Sequence, residues 1–223
     1  MDAGASLSGP RLAPADGGPP RQVVVLLHGL GADGNDLIGL GSTLAPLLPG
    51  AAFVAPNAPE RCDMAPSGYQ WFSLSAQNEA SRAAGVRRAA PALDRFIDDE
   101  LARTGLDDSR LALVGFSQGT MMALHVGLRR ARPCAGIVGY SGMLVAPESL
   151  ESELLAKPPI LLVHGGADDL ISAEAMFAAV GALGALALPV QWHVSVAAGH
   201  AIDEAGLRLG AEFLVRAFVT KAN

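Results

Sequence analysis

The residues most able to do chemistry in this chain lie at 115–119, which read GFSQG. A serine between glycines at this spacing meets a specific demand. A nucleophilic hydroxyl must stand on a sharp strand-to-helix turn, and the glycines let neighbouring backbone pass close to it. The apolar run LALV precedes the motif and an apolar helical stretch follows it. Such a pentapeptide arises readily by chance in a chain with 26 glycines. Its context makes Ser117 the candidate nucleophile rather than a turn serine.

A serine hydroxyl is a weak nucleophile at its free pKa and needs a general base. Five histidines are available. His28 and His164 each end an apolar run and precede glycine, His125 falls in the stretch after the serine, and His193 falls in an extended run. His200, in AAGHAIDE, sits on a loop after the last apolar run, so it is the candidate base; the other four read as structural. The base needs an acid to hold its tautomer. HGGADDLIS offers Asp168 and Asp169 on one loop, which gives the chain order serine, acid, histidine. Asp169 precedes Leu170, Ile171 and Ser172 and suits turn bonds to its own loop, which favours Asp168 as the acid.

Attack on a carbonyl creates an oxyanion that needs hydrogen-bond donors. The backbone N–H of Gln118 follows the nucleophile directly. A second donor is expected at Leu30 in LLHGLGADG, where Gly29 and Gly31 let the loop turn back over the site. Trp71, beside Phe72 in a segment without periodicity, is a candidate for lining the substrate pocket, with core packing as the alternative.

Two motifs compete. GLGADG at 29–34 is a formal GxGxxG after an apolar run, the best case for a dinucleotide-binding oxidoreductase. That motif needs an acidic residue about 20 positions on, closing the second strand. Here AAFVA runs into Pro56, Asn57, Ala58 and Pro59 before Glu60. Asp33, Asn35 and Asp36 resemble a calcium-loop fragment, but the distal Glu is missing and turn chemistry explains them. No His, Cys and carboxylate cluster has ligand spacing, so neither metal nor cofactor is expected. Ser141, in GYSGM, misses the spacing of the serine motif.

The elements that must position these residues are legible in outline. Apolar runs at 23–27, 51–55, 111–114, 136–140, 160–163 and 190–196 read as strands. Most are continuously apolar, the pattern of strands buried on both faces of a parallel sheet. Helices are expected at 78–103, with Pro91 kinking or dividing it, and at 118–130, 173–186 and 201–220. Alternation of this kind gives an α/β domain whose ligands sit at the carboxyl ends of strands. Residues 21–223 read as one domain, preceded by a Gly- and Pro-rich leader, mobile or irregular, at 1–20.

Composition narrows the class. Half the residues are hydrophobic and the net charge is −6, which gives no reason to expect nucleic acid or an anionic membrane as partner. The first residues lack a secretory pattern, and the apolar stretch 175–190 is shorter than the ~20 residues of a spanning helix. No stable membrane insertion is expected. Cys62 and Cys134 read as free thiols of a reducing compartment, so the expected location is cytoplasmic.

Together HGLGADGNDLIGL, GFSQG, HGGADDLIS and AGH, in this order, resemble the phospholipase/carboxylesterase family, over about residues 21–220. The resemblance implies an α/β-hydrolase fold and esterase or thioesterase activity without a cofactor. It places the triad on Ser117, Asp168 and His200 and the oxyanion donors on Leu30 and Gln118. The implied partner is a small-molecule ester or acyl substrate, and an apolar surface around the site could support a homodimer. A binding protein on an inactive scaffold is the third reading, disfavoured by the complete residue set. The stretch 141–159 is too short for a separate cap domain, so an open site is expected.

Overall fold

The computed structural model describes residues 6–76 and 78–220. In chain order the elements are β1 (Arg11–Leu12), β2 (Gln22–Leu27), α1 (Gly34–Leu44), β3 (Ala51–Val54), β4 (Glu60–Arg61) and β5 (Tyr69–Gln70). Then follow α2 (Glu79–Thr104), β6 (Leu111–Phe116), α3 (Gln118–Gly127), β7 (Gly136–Tyr140) and α4 (Pro147–Glu153). The last are β8 (Ile160–Gly165), α5 (Ala173–Ala185), β9 (Val190–Ser195) and α6 (Glu204–Thr220).

Seven strands form one sheet in the order β1-β3-β2-β6-β7-β8-β9. β3 through β9 of this sheet run parallel, and β1 lies antiparallel on β3 at one edge. The reason is visible in β2. Val23, Val25 and Leu27 face one core, with α2, α3 and α5 over it, and Val24 and Leu26 face a second core under α1 and α6. Side chains alternate across a strand, so a strand covered on both faces must be apolar throughout. The expected mostly parallel sheet flanked by helices is the fold observed.

Helix α2 departs from expectation. Pro91 does not divide it; the helix runs unbroken from Asn78, whose side chain caps it, to Gly105 in the left-handed conformation. Its buried Val86, Ala89, Leu93, Phe96 and Ile97 recur at helical spacing and hold it against the first core. α1 forms despite its glycines, because Asp33 caps it and Gly41 lets it approach β3. A Cβ there would lie 2.9 Å from Phe53.

The segment before residue 21 is irregular over most of its described length, yet it is docked. Leu7 is buried, β1 joins the sheet, and the Arg11 guanidinium bonds buried Glu100 on α2. Between β7 and β8 the chain holds only the seven-residue α4.

Candidate active site

The carboxyl ends of β2, β6, β8 and β9 share one edge of the sheet. Each delivers one sequence-predicted residue there. Register fixes their level: Leu27 pairs with Gly115, and Gly165 with Ser195.

Ser117 stands between β6 and α3 at φ 53, ψ −115, a strained conformation for a residue with a Cβ. Its flanking glycines are required by contact. A Cβ on Gly115 would lie 2.4 Å from the Thr120 nitrogen, and one on Gly119 would lie 1.8 Å from the Leu27 carbonyl oxygen. The elbow is tied down on its far side. The Ser117 N–H donates to the Tyr140 carbonyl at 2.9 Å, and the Thr120 hydroxyl bonds the carbonyls of Gly115 and Tyr140, each at 2.9 Å. This is how a serine is held out at the end of a strand.

His200 lies on the loop after β9, its ring centroid 5.0 Å from that of Phe116, the neighbour of Ser117. Its Nδ1 meets Asp168 Oδ2 at 2.8 Å. The Asp168 side chain is fully buried, while Asp169 is exposed. Asp168 Oδ1 accepts the N–H groups of Leu170 at 3.0 Å and Ile171 at 2.9 Å. Burial pushes its carboxyl up, but the Ile171 N–H, His200 and the Leu170 N–H together outweigh burial and hold it below the usual carboxylate range. The turn bonds expected of Asp169 are therefore made by Asp168. One oxygen takes the turn and the other takes the histidine, so a single carboxylate does both.

His164 is a neighbour that spacing gave only as structural. Its Nε2 donates to the Ile171 carbonyl at 2.7 Å and lies 3.3 Å from Asp168 Oδ2. Wholly buried, it braces the loop that presents the acid.

The loop after β2 supplies Leu30. Gly29 packs against the elbow, where a Cβ would lie 3.3 Å from that of Ser117. The Gly29 carbonyl is held at 2.7 Å by Nδ1 of His28. A trans peptide points its N–H opposite its C=O, so the Leu30 N–H is turned away from that bond. The Ala58 N–H donates to His28 Nε2 at 3.0 Å, which fixes the neutral tautomer with its proton on Nδ1. Burial lowers the His28 pKa and favours that neutral form.

Trp71 requires a correction. It is 0% exposed and belongs to the first core, so it does not line an open substrate pocket. Its indole is large and apolar with one donor, and that donor is satisfied inside by the His28 carbonyl at 3.0 Å.

The competing glycine motif has other work. Asp33 caps α1, accepting from the N–H groups of Asn35 and Asp36, and Asp36 returns a bond to the Asp33 N–H. A carboxylate thus occupies the helix N-terminus where a dinucleotide phosphate would bind. The same capping box accounts for the acidic residues of the calcium-loop fragment.

Comparison with known proteins identifies the family. The family model described as Phospholipase/Carboxylesterase matches residues 13–217. The chain belongs to the phospholipase/carboxylesterase family. Its similarity to esterase PE8 is 44% identity with a TM-score of 0.92, covering 95% of this chain and 99% of that crystal structure. It is 29% identical to esterase YpfH of Escherichia coli (strain K12) over 88% of this chain and 83% of that protein. It is 33% identical to acyl-protein thioesterase 1 of Schizosaccharomyces pombe over 66% of this chain and 69% of that one. As a member of this family it is a carboxylesterase/thioesterase-type hydrolase with the α/β-hydrolase fold. Among the described residues no helix is long and apolar enough to cross a membrane.

Proposed function

We propose that Ser117, His200 and Asp168 form a catalytic triad that hydrolyses carboxylic esters or thioesters through an acyl-enzyme. The observation that carries this reading is the 2.8 Å bond from His200 Nδ1 to a buried carboxylate, with the His200 ring against Phe116, the residue before a serine on a strained elbow. With Nδ1 so engaged, Nε2 is the basic nitrogen. It takes the Ser117 proton as Oγ bonds the substrate carbonyl carbon. The carbonyl oxygen becomes an oxyanion, stabilised by the N–H groups of Leu30 and Gln118. As the tetrahedral species collapses, His200 returns the proton to the departing alcohol or thiol. Water then repeats the sequence on the acyl-enzyme and releases the acid.

The substrate is a small ester or acyl compound. A cavity of about 470 Å³ lies between the start of α2, the loop after β7 and α5, with Met143, Leu144, Val145 and Ala179 among its walls. Gly142, the chain neighbour of Met143 in its wall, touches the elbow: a Cβ there would lie 2.8 Å from the Ser117 carbonyl oxygen. Glu79, Arg82 and Glu148 also line the cavity, so its apolar stretch suits an acyl chain and its charged side chains a polar group. Cys62 is a free thiol, which fits a reducing cytoplasm. The test is labelling with a fluorophosphonate, followed by a panel of esters, lysophospholipids and thioesters. Ser117 is expected to carry the label. Label elsewhere, or none in protein that hydrolyses the panel, would overturn the assignment.

A further inference from the structure

The residue after the elbow serine has two ends. Its N–H belongs to the oxyanion pair of the proposed mechanism. Its side chain points the other way, into the protein, and Gln118 is 0% exposed. There Oε1 accepts the Trp71 N–H at 2.8 Å and Nε2 donates to the Phe72 carbonyl at 2.7 Å. Both ends of one planar amide thus grip consecutive residues of the strip 68–72, which contains β5.

That same strip is stitched to the loop bearing Leu30. The Trp71 indole N–H donates to the His28 carbonyl at 3.0 Å. The Gly31 N–H donates to the Tyr69 carbonyl at 2.9 Å, and the Tyr69 N–H to the Ala32 carbonyl at 2.8 Å. Bonds from the strip therefore land at residues 28, 31 and 32, on both sides of Leu30. Gly68 allows the approach: at φ +83, a Cβ there would lie 2.0 Å from the Gly31 carbonyl oxygen.

We infer that the Gln118 side chain and the Trp71 indole are positioning residues that set the spacing of the two oxyanion donors. The two N–H groups sit on different elements, the loop after β2 and the first turn of α3. Donors help only within about 2.7–3.1 Å of the developing oxyanion, so a drift of one element against the other weakens transition-state binding. The strip is the brace between them, and Gln118 ties it to the elbow from inside. The amide is specific to this task. A carboxylate at 118 would face the Phe72 carbonyl with a second acceptor, and a thioether would hold neither end.

The inference rests on the triad reading, and its test separates the two. Trp71→Phe keeps a buried aromatic ring and deletes the indole N–H together with part of the ring's volume, so some loss of melting temperature is expected from the space left unfilled. Gln118→Met keeps length and volume and deletes both amide bonds. Each is compared with the parent by kcat and KM on a short-chain p-nitrophenyl ester, by thermal melting, and by Ki for an alkyl trifluoromethyl ketone. Ser117 Oγ adds to that ketone's carbonyl carbon, its proton passes to His200, and the ketone oxygen becomes the oxyanion.

The expected result is a kcat loss of about 10-fold for Trp71→Phe and about 100-fold for Gln118→Met. KM should stay within about twofold, and the ketone Ki should weaken in step with kcat. A variant that melts lower while kcat and Ki hold their parental values would show a merely structural role and overturn the inference. If Gln118→Met fails to fold, Trp71→Phe decides alone. Ser117→Ala runs alongside. Its parental turnover would sink the triad reading itself, whereas an inactive Ser117→Ala with fully active Trp71→Phe sinks only the brace.

Discussion

Asp168 meets His200 at 2.8 Å with one carboxylate oxygen and binds two backbone N–H groups of its own loop with the other. The carboxylate is thereby fixed in rotation before it touches the imidazole. Asp168→Asn keeps the shape but can present N–H where Nδ1–H must donate. We expect kcat to fall by about 10²–10⁴ through the wrong tautomer. Asp169→Asn, at an exposed position, should leave kcat within about twofold of the parent. Parallel kinetics and melts on the two variants check this. A larger catalytic loss at Asp169, at unchanged melting temperature, would move the acid by one residue.

Ser117→Ala should lower kcat by about 10⁴–10⁶, with a residual rate from oxyanion stabilisation and binding. The variant should remain folded, since the elbow is held by Ser117 and Thr120 backbone and by the Thr120 hydroxyl rather than by the serine Oγ. Steady-state rates on purified protein with a matching far-ultraviolet dichroism spectrum decide it. A folded variant with parental kcat would exclude Ser117 as nucleophile.

Two glycines separate packing demand from helix propensity. Gly119 lies in the first turn of α3, with the Leu27 carbonyl 1.8 Å from where a Cβ would go. Backbone on both sides cannot yield cheaply, so Gly119→Ala should destabilise by about 3 kcal/mol. Gly181 lies inside α5, exposed, with nothing within 4 Å of its would-be Cβ. Gly181→Ala should stabilise by about 0.5–1 kcal/mol, the usual helix preference for alanine. Denaturant unfolding measures both. Equal effects of the two substitutions would mean that propensity, not contact with β2, governs Gly119.

The strands and the glycines that flank the candidate serine are legible in the sequence for the same reason: each is constrained at its own position. Val23 to Leu27 must be apolar because both faces of β2 are covered. Gly115 and Gly119 must lack a Cβ because of the turn they flank. What stayed hidden depends on partners far along the chain. The pairing of β1 with β3, the indole of Trp71 on His28 and the amide of Gln118 on residues 71 and 72 span some 40 residues or more. No local pattern encodes them. Asp168 rather than Asp169 meets His200, and it also makes the turn bonds that the sequence pattern points to at Asp169. Adjacent residues differ there only in side-chain direction, which sequence does not carry.

His125 gives the protein a built-in acid sensitivity. It sits on α3 away from the elbow, almost wholly buried, and its Nδ1 has no hydrogen-bond partner among the described residues. Burial, then the nearby Arg129 charge, lowers its pKa to about 4. In the unfolded chain a histidine titrates near pH ~6.5. As pH falls from about 6.5, the unfolded chain takes up this proton while the folded protein does not until about pH 4. The unfolded state binds more protons across that window, so His125 costs stability there, reaching on the order of 3 kcal/mol at its lower end. His125→Phe fills similar space and does not titrate. Whatever it does to stability at pH 7, the variant should lose less on going to pH 4.5 than the parent, by about 2 kcal/mol. Urea unfolding of both proteins at the two values provides the double difference, in which the carboxylates common to both cancel. A parent and variant that lose stability equally would show that His125 accepts its proton freely in the folded state, and that its burial imposes no such penalty.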